Sequence, residues 1–400
     1  MRIAEVAEFY APSGGGVRTY IDRKLEAAAA LGYELFVIAP GAETVMETRP
    51  GGGVLWVKAP PLPFDSNYRM FWDAAPVHAE LDRLQPDLVE ASSPWRGAWI
   101  AATWPGSAPR AMFMHADPVA SYPYRWFGPI ASRDRIDRLF EWFWRYLARL
   151  TARFDAVVAG GDWLSRRLRD HAIPRVTTIG LGIDRTVFSP ERRDEGLRET
   201  LLAGCALSRD AKLLLGVGRH HAEKRWPMVV DAVASLGAAL PVGLLLIGDG
   251  VDRKSVERAV GGNPHIRLIA PVYDRPLLAT ILASADALIH GCESETFGLV
   301  AAEALASGLP LIVPDRGGCS DLAKPEVAET YSANDSRAAA AAVRRLFARD
   351  PQALTAEVLA ASRTVRSDRQ HFADLFALYA GLGEGRGRPP QAGSAGTSSA

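Results

Sequence analysis

The chain has 400 residues, 48% of them hydrophobic, with 46 cationic side chains balanced by 46 anionic ones. That length allows about two domains with sizeable cores, and the lack of a basic surplus excludes a general nucleic-acid binder. The three cysteines, Cys205, Cys292 and Cys319, have neither CxxC nor metal-ligand spacing and fit a reducing cytosol.

The first apolar run, Arg2–Ala7, reads as a strand, and Glu5 and Glu8 interrupt it where a signal peptide needs an unbroken apolar stretch. It leads into Pro12-Ser13-Gly14-Gly15-Gly16-Val17 and then a helix with Val17, Tyr20, Ile21, Leu25, Ala28 and Leu31 on its apolar face. Glycines before a helix let a ligand approach the backbone, and the helix start favours an anion. Thr19 stands at the third glycine position of GxGxxG, which disfavours a nicotinamide dinucleotide.

Further strands are expected at Glu34–Ala39, Asp87–Ala91, Ala111–His115 and Asp155–Ala159. His115 ends one of them, where strand ends of doubly wound folds meet ligands, and it is a candidate hydrogen-bond donor or proton shuttle. Residues 121–150 carry Trp126, Trp142 and Trp144 among six arginines and three acidic residues. That mixture suits either an amphipathic core helix with a wet arginine face or contact with an anionic membrane interface. No run reaches the ~18 apolar residues of a spanning helix.

Gly180-Leu181-Gly182-Ile183-Asp184 opens a polar linker near 180–195. A second strand series follows at Lys212–Val217, Val242–Ile247, Ile266–Ile269, Ala287–Ile289 and Pro310–Val313. Fully apolar strands alternating with helices indicate parallel sheets covered on both faces. The expected fold is therefore α/β, two Rossmann-like doubly wound domains facing a cleft. The boundaries are 1–182, 183–365, a helix at 366–382 carrying Phe372, Leu375, Phe376 and Tyr379, and a disordered Gly/Pro/Ser-rich tail at 383–400.

Two segments of the second half carry the chemistry. After the strand Lys212–Val217 come Arg219 and Lys224, two cations five apart and suited to a diphosphate. Later, Glu295-Thr296-Phe297-Gly298-Leu299 precedes a helix that contains Glu303. A carboxylate just before a helix start accepts orphan N–H groups, and Glu303 follows about two turns further on at ~1.5 Å per residue. One sugar-sized ligand would then meet both carboxylates. His220, His221 and His290 are weaker candidates; no His/Asp/Glu trio has metal-site spacing, and there is no Asp-x-Asp to hold a divalent cation on a diphosphate.

Taken together, these residues resemble the retaining, nucleotide-sugar-dependent glycosyltransferases of family 4, with the GT-B architecture, over about residues 1–382. The most specific part is Glu295-x7-Glu303 with Gly308-Leu309-Pro310 and Gly317-Gly318 behind it. The resemblance implies that Arg219 and Lys224 bind the donor diphosphate, that Glu303 holds the ribose, and that Glu295 contacts the transferred sugar. Backbone N–H groups around Phe297, Gly298 and Leu299 would assist. Gly15 and Gly16 would approach the donor phosphates, His115 would hydrogen-bond the sugar, and the helix at 366–382 would return to the first domain. Transfer of a hexose from GDP-mannose or a UDP-sugar to a lipid-linked or saccharide acceptor follows, with no metal and no cofactor.

The chain departs from the pattern at several places. Gly180-Leu181-Gly182-Ile183-Asp184 replaces Pro-Asn-Gly-Val-Asp, His290-Gly291-Cys292-Glu293 replaces a Pro-Ser approach, Asp321 replaces a glutamate, and Ala270-Pro271 replaces a glycine near the donor base. The opening Phe9–Gly15 with Arg18–Asp22 also resembles bacterial mannosyltransferases that act on glycolipids, which favours a cytoplasmic enzyme peripheral to the inner membrane face. The alternatives are a sugar-phosphate synthase of the same fold, which would need a basic cluster at the acceptor side, and a noncatalytic nucleotide-sugar binder.

Overall fold

In a computed structural model of the chain, residues 1–12, 16–62, 65–121, 123–127, 130–237 and 240–384 are described. Gly15 and the tail at 385–400 lie outside the described residues. The strands run β1 (Arg2–Val6), β2 (Glu34–Gly41), β3 (Val45–Arg49), β4 (Gly52–Lys58), β5 (Pro61–Leu62), β6 (Asp65–Arg69), β7 (Leu88–Ala91), β8 (Arg110–Met114), β9 (Ala156–Ala159) and β10 (Val176–Thr178). After them come β11 (Lys212–Val217), β12 (Val242–Ile247), β13 (Ile266–Ile269), β14 (Ala287–Ile289), β15 (Leu311–Pro314) and β16 (Ala328–Tyr331).

One sheet has the order β10-β9-β8-β7-β1-β2-β4-β3 and the other β13-β12-β11-β14-β15-β16. Every neighbouring pair of strands in the second sheet is parallel, and its order is that of a doubly wound dinucleotide fold. In the first sheet β3 runs antiparallel to β4, as an edge strand. Strands such as β12, buried at every position, explain why continuous apolar runs replace alternation here.

The compact units do not divide at the expected boundary of residue 182. Among the described residues, the first comprises those within 1–113, 147–158 and 372–384, and the second those within 114–146 and 159–371. In the first unit, the helix Gly16–Ala30 buries Lys24 alongside Ile21, Leu25 and Ala28. The Lys24 ammonium bonds Glu5 Oε2 at 2.9 Å and also reaches Glu90, all three side chains fully buried. The C-terminal helix Asp368–Glu384 extends through residues 383 and 384, which were expected in the tail. Its Phe372 packs on Tyr20 at 5.4 Å, its Phe376 stacks on Tyr33 at 4.8 Å, and Tyr379 lies under Lys24.

In the second unit, two apolar layers cover the β11–β16 sheet, one built on Leu213, Leu215, Leu288 and Leu311, the other on Leu214, Leu244, Ile289 and Ile312. Asp194, Asp274 and Asp335 each accept an N–H at a helix start, which fixes where the covering helices begin. The linker peptide at Ile183 pairs with Ser367. A Cβ on Gly182 would lie 2.1 Å from the Ser367 carbonyl oxygen, so the crossing tolerates only glycine.

Candidate active site

The site starts at the carboxyl end of β11. Beyond Gly218 the chain makes a short 3-10 turn, Ala222–Lys224, and then Arg225 adopts left-handed backbone with φ +52° before the helix Trp226–Ala234. That reversal aims two consecutive cations at two carboxylates: Lys224 at Glu295 and Arg225 at Glu293. Trp226 Nε1 donates to the Arg219 carbonyl at 3.1 Å, fixing its backbone. The Arg219 side chain stays 77% exposed, 3.4 Å from Glu223, and is available to a ligand.

The carboxylates sit on the loop between β14 and the helix Leu299–Ala306. Gly298 opens that helix in left-handed backbone, φ +85°, and no side chain caps it. Glu295 therefore does not cap the helix, contrary to the expectation from its position; the Lys224 ammonium takes its carboxylate instead. Gly317 and Gly318 hold the loop from beneath. Gly318 N–H donates to the Glu295 carbonyl at 2.6 Å, and a Cβ on Gly318 would lie 2.3 Å from the Phe297 nitrogen. Any side chain there would push the loop away.

Burial alone would raise the Glu295 carboxyl, but the Lys224 charge overrides it, with His290 adding to the effect, and the group lies well below the usual carboxylate range. Burial likewise works against the Lys224 ammonium, yet Glu295 holds it well above the ordinary lysine value. Both are ionised at neutral pH. His290 is buried, and its Nδ1 accepts the Cys292 N–H at 3.2 Å. That bond assigns the proton to Nε2, 3.7 Å from Glu295 Oε1. Burial pushes the Cys292 thiol up to about 12, which keeps it from acting as a nucleophile.

His115 follows β8 directly, and its carbonyl accepts the Thr296 hydroxyl at 3.0 Å. Behind it, Asp117 accepts N–H groups from Val119 and Ala120 at 2.9 and 3.0 Å and pairs with Arg167. Arg167 also bonds Asp137 and the Tyr124 hydroxyl and lies 5.1 Å from the Trp144 ring. The aromatic–arginine segment thus buries Trp144, Leu147 and Leu150 but leaves Ile130, Leu139 and Trp142 exposed. Asp321 accepts the Trp163 N–H at 2.6 Å and Arg166 at 2.9 Å, where the helix Asp162–Asp170 begins.

The structure thus brings Lys224, Glu295, Phe297, Gly298 and the backbone of His115 together. Leu299 is the first residue of the helix and is 39% exposed. Glu303 is buried in that helix and accepts Arg275 at 2.7 Å, a different cation from the one that Glu295 holds. Gly16 opens the first helix of the other unit and is exposed. Arg225, Arg133 and Arg316 carry no sequence signal of their own; Glu293, two residues before Glu295, is the signal that points to them. Among the described residues no group of three His, Cys, Asp or Glu side chains forms a metal cluster.

Residues 14–187 match the family described as Glycosyltransferase Family 4, and residues 211–349 match Glycosyl transferases group 1. A GDP-mannose-dependent alpha-(1-6)-phosphatidylinositol dimannoside mannosyltransferase of Mycobacterium tuberculosis is 31% identical over 338 residues, covering 80% of this chain and 84% of the relative. A GDP-mannose-dependent alpha-mannosyltransferase of Mycolicibacterium smegmatis is 32% identical over 337 residues, covering 81% and 82%. Among solved structures, the sucrose-phosphate synthase of Thermosynechococcus elongatus superposes with a TM-score of 0.77 at 19% identity, covering 96% of this chain and 99% of that one. Anabaena HepE in complex with UDP gives a TM-score of 0.72 at 15% identity, covering 95% and 100%. These structural likenesses identify the fold as GT-B.

Proposed function

The chain belongs to the family 4 glycosyltransferases, and from that premise we propose that it moves mannose from GDP-mannose, with retention, to a lipid-linked acceptor. The observation that carries this reading is the ionised Lys224–Glu295 pair on a loop clasped by Gly317 and Gly318, in a chain whose relatives are named for GDP-mannose and for phosphatidylinositol dimannoside.

Each group then has a task. Arg219, exposed, and Lys224, paired with Glu295, neutralise the donor diphosphate as it departs. Glu295, kept as a carboxylate, accepts hydrogen bonds from hydroxyls of the transferring sugar. N–H groups at Phe297, Gly298 and Leu299 face phosphate at the uncapped helix start. Glu303, positioned by Arg275, holds the ribose, and His115 hydrogen-bonds the sugar. The bond from the anomeric carbon to the phosphate oxygen breaks while the acceptor oxygen bonds on the same face. The acceptor proton passes to the departing phosphate, so no protein base is required. The two cations supply the charge that a divalent metal would otherwise bring, and metal-independent transfer follows.

We place the enzyme at the inner membrane face as a peripheral protein. Ile130, Leu139 and Trp142 stand exposed beside Arg138 and Arg145, an apolar-and-cationic mixture suited to an anionic interface. No helix among the described residues is long and apolar enough to cross a membrane.

The test is a donor panel of GDP-mannose, UDP-glucose and UDP-galactose against a bacterial lipid extract, with mass spectrometry of the lipids. A gain of one hexose with GDP-mannose, and an α-linked product by NMR, is expected. Absence of nucleotide release from every donor would overturn the reading.

A further inference from the structure

Three guanidinium groups converge on the single carboxylate of Glu293. Arg225 bonds its Oε1, Arg133 approaches the same oxygen at 2.7 Å, and Arg316 lies 3.9 Å from Oε2. The Glu293 side chain is only 5% exposed, whereas Arg133, Arg225 and Arg316 keep 21%, 27% and 50%. Asp315, 3.3 Å from Arg316, is the other acid in the group. Three cations against two anions leave a surplus positive charge in a partly desolvated place.

Such a surplus is unfavourable unless an anion completes it. Burial already works against the charge of Arg133, which is lowered although Glu293 opposes the shift. Each guanidinium has five N–H donors, and Glu293 takes only a few of them. The Arg133 guanidinium lies over the Tyr124 ring, 4.6 Å from its centroid. Gly317 lets Arg316 come close, because a Cβ at 317 would lie 2.6 Å from the Glu293 carbonyl. The cluster is built, cationic, and only two residues from Glu295.

We infer that Arg133, Arg225 and Arg316, organised by Glu293, bind a phosphate group carried by the acceptor. The inference rests on the reading of the site as a glycosyltransferase centre, and it adds the acceptor's chemistry. The donor diphosphate already has Arg219 and Lys224, so the anion left for this cluster belongs to the second substrate. Planar guanidinium forks suit the oxygens of a phosphate mono- or diester. The same chemistry arises from a phospholipid headgroup or from a free sugar phosphate, and the experiment separates the two.

The experiment measures kcat/KM with full-length protein for four acceptors: phosphatidylinositol in detergent, inositol 1-phosphate, a neutral diacylglycerol glycoside, and free inositol. Wild type should favour the phosphate-bearing member of at least one pair by tenfold or more, and which pair responds identifies the lipid or the free source. In Arg133→Gln, Arg225→Gln and Arg316→Gln that ratio should fall about tenfold, the scale of losing one charge-assisted hydrogen bond, chiefly through the acceptor KM. Arg316 is half-exposed, so its variant gives a result even where the less exposed ones fail to fold. A mutation-free arm raises the salt concentration, which should raise KM for the phosphorylated acceptor more than for its neutral partner. Equal rates for charged and neutral acceptors, or variants that raise the donor KM and leave the acceptor ratio intact, would overturn the inference. Donor turnover with no phosphate preference leaves the glycosyltransferase reading standing, whereas no turnover of any donor strikes that reading itself.

Discussion

The Thr296 hydroxyl donates to the carbonyl oxygen of His115 at 3.0 Å, tying the residue beside Glu295 to the end of β8. The bond fixes the distance between two groups assigned to the same sugar. Replacing Thr296 with valine keeps the shape and removes the donor. Stability should fall by about 1 kcal/mol, the net value of one such bond, and kcat should fall roughly tenfold through lost positioning. Steady-state kinetics with a parallel thermal melt check this. An unchanged kcat would show that the contact positions nothing.

Lys224 and Glu295 make the second prediction. Glu295→Gln should lower kcat by roughly a hundredfold or more, as expected on losing a charged group that acts in the transition state. It leaves the Lys224 cation without its partner and should cost about 2 kcal/mol. That is less than for a fully buried pair, because Glu295 keeps 27% side-chain exposure. The double variant Glu295→Gln/Lys224→Met should regain much of the stability and none of the activity, so a double-mutant cycle separates the two roles. The lowered Glu295 contributes stability above the ordinary carboxylate range, lost as pH falls through its folded value. The raised Lys224 contributes below the ordinary lysine range, lost as pH rises through its own. Between pH 5 and 9 the pair should therefore impose no slope on the rate.

The parts of the molecule that the sequence revealed share a physical reason. β11, β12 and β14 are largely buried, apolar and bounded by turn residues, and the expected spans coincide with them. β3 escaped notice because it is an edge strand with mostly exposed positions, and β4 because two glycines open it. Glu295 and Lys224 stood out because chemistry of that kind depends on residue type and order along one chain segment. The Glu293 cluster did not, because Arg133, Arg225 and Arg316 come from three distant segments and meet only through the backbone reversal at Arg225 and the close approach at Gly317. Lys24 was hidden for the opposite reason: a lysine on a helix face reads as solvated, and its burial depends on two carboxylates far away in the chain.

That buried trio gives a pH prediction. Burial and then the neighbouring Glu5 charge push the Glu90 carboxyl up to about 7, against the pull of Lys24. A carboxyl raised in the folded state stabilises the fold fully below its unfolded value, and that contribution is lost as pH rises through about 7. Glu90→Gln removes the group that must ionise. Its melting temperature relative to wild type should therefore be higher at pH 8 than at pH 5, with a difference equivalent to about 1–3 kcal/mol. Thermal scans of both proteins at the two pH values decide it, and an identical difference at both would sink the assignment.

The membrane reading turns on side chains rather than on the helix that carries them. In the helix Glu141–Thr151, Trp144 is buried against His171, the rings stacked at 3.9 Å, while Trp142 is 57% exposed. Trp142→Ser and Leu139→Ser therefore change the surface and leave the core intact. In flotation with vesicles of phosphatidylcholine and phosphatidylglycerol, wild type should float at low salt and the double variant should remain largely unbound. Burying a tryptophan and a leucine at the interface is worth roughly 3 kcal/mol, enough for a change of about a hundredfold in partitioning. Pure phosphatidylcholine vesicles should capture less wild type, because the arginines beside the patch then have no anionic lipid to meet. Wild type that fails to float on anionic vesicles at low salt, or a double variant that floats as well as wild type, would remove this surface from the mechanism and leave the acceptor to be delivered in solution.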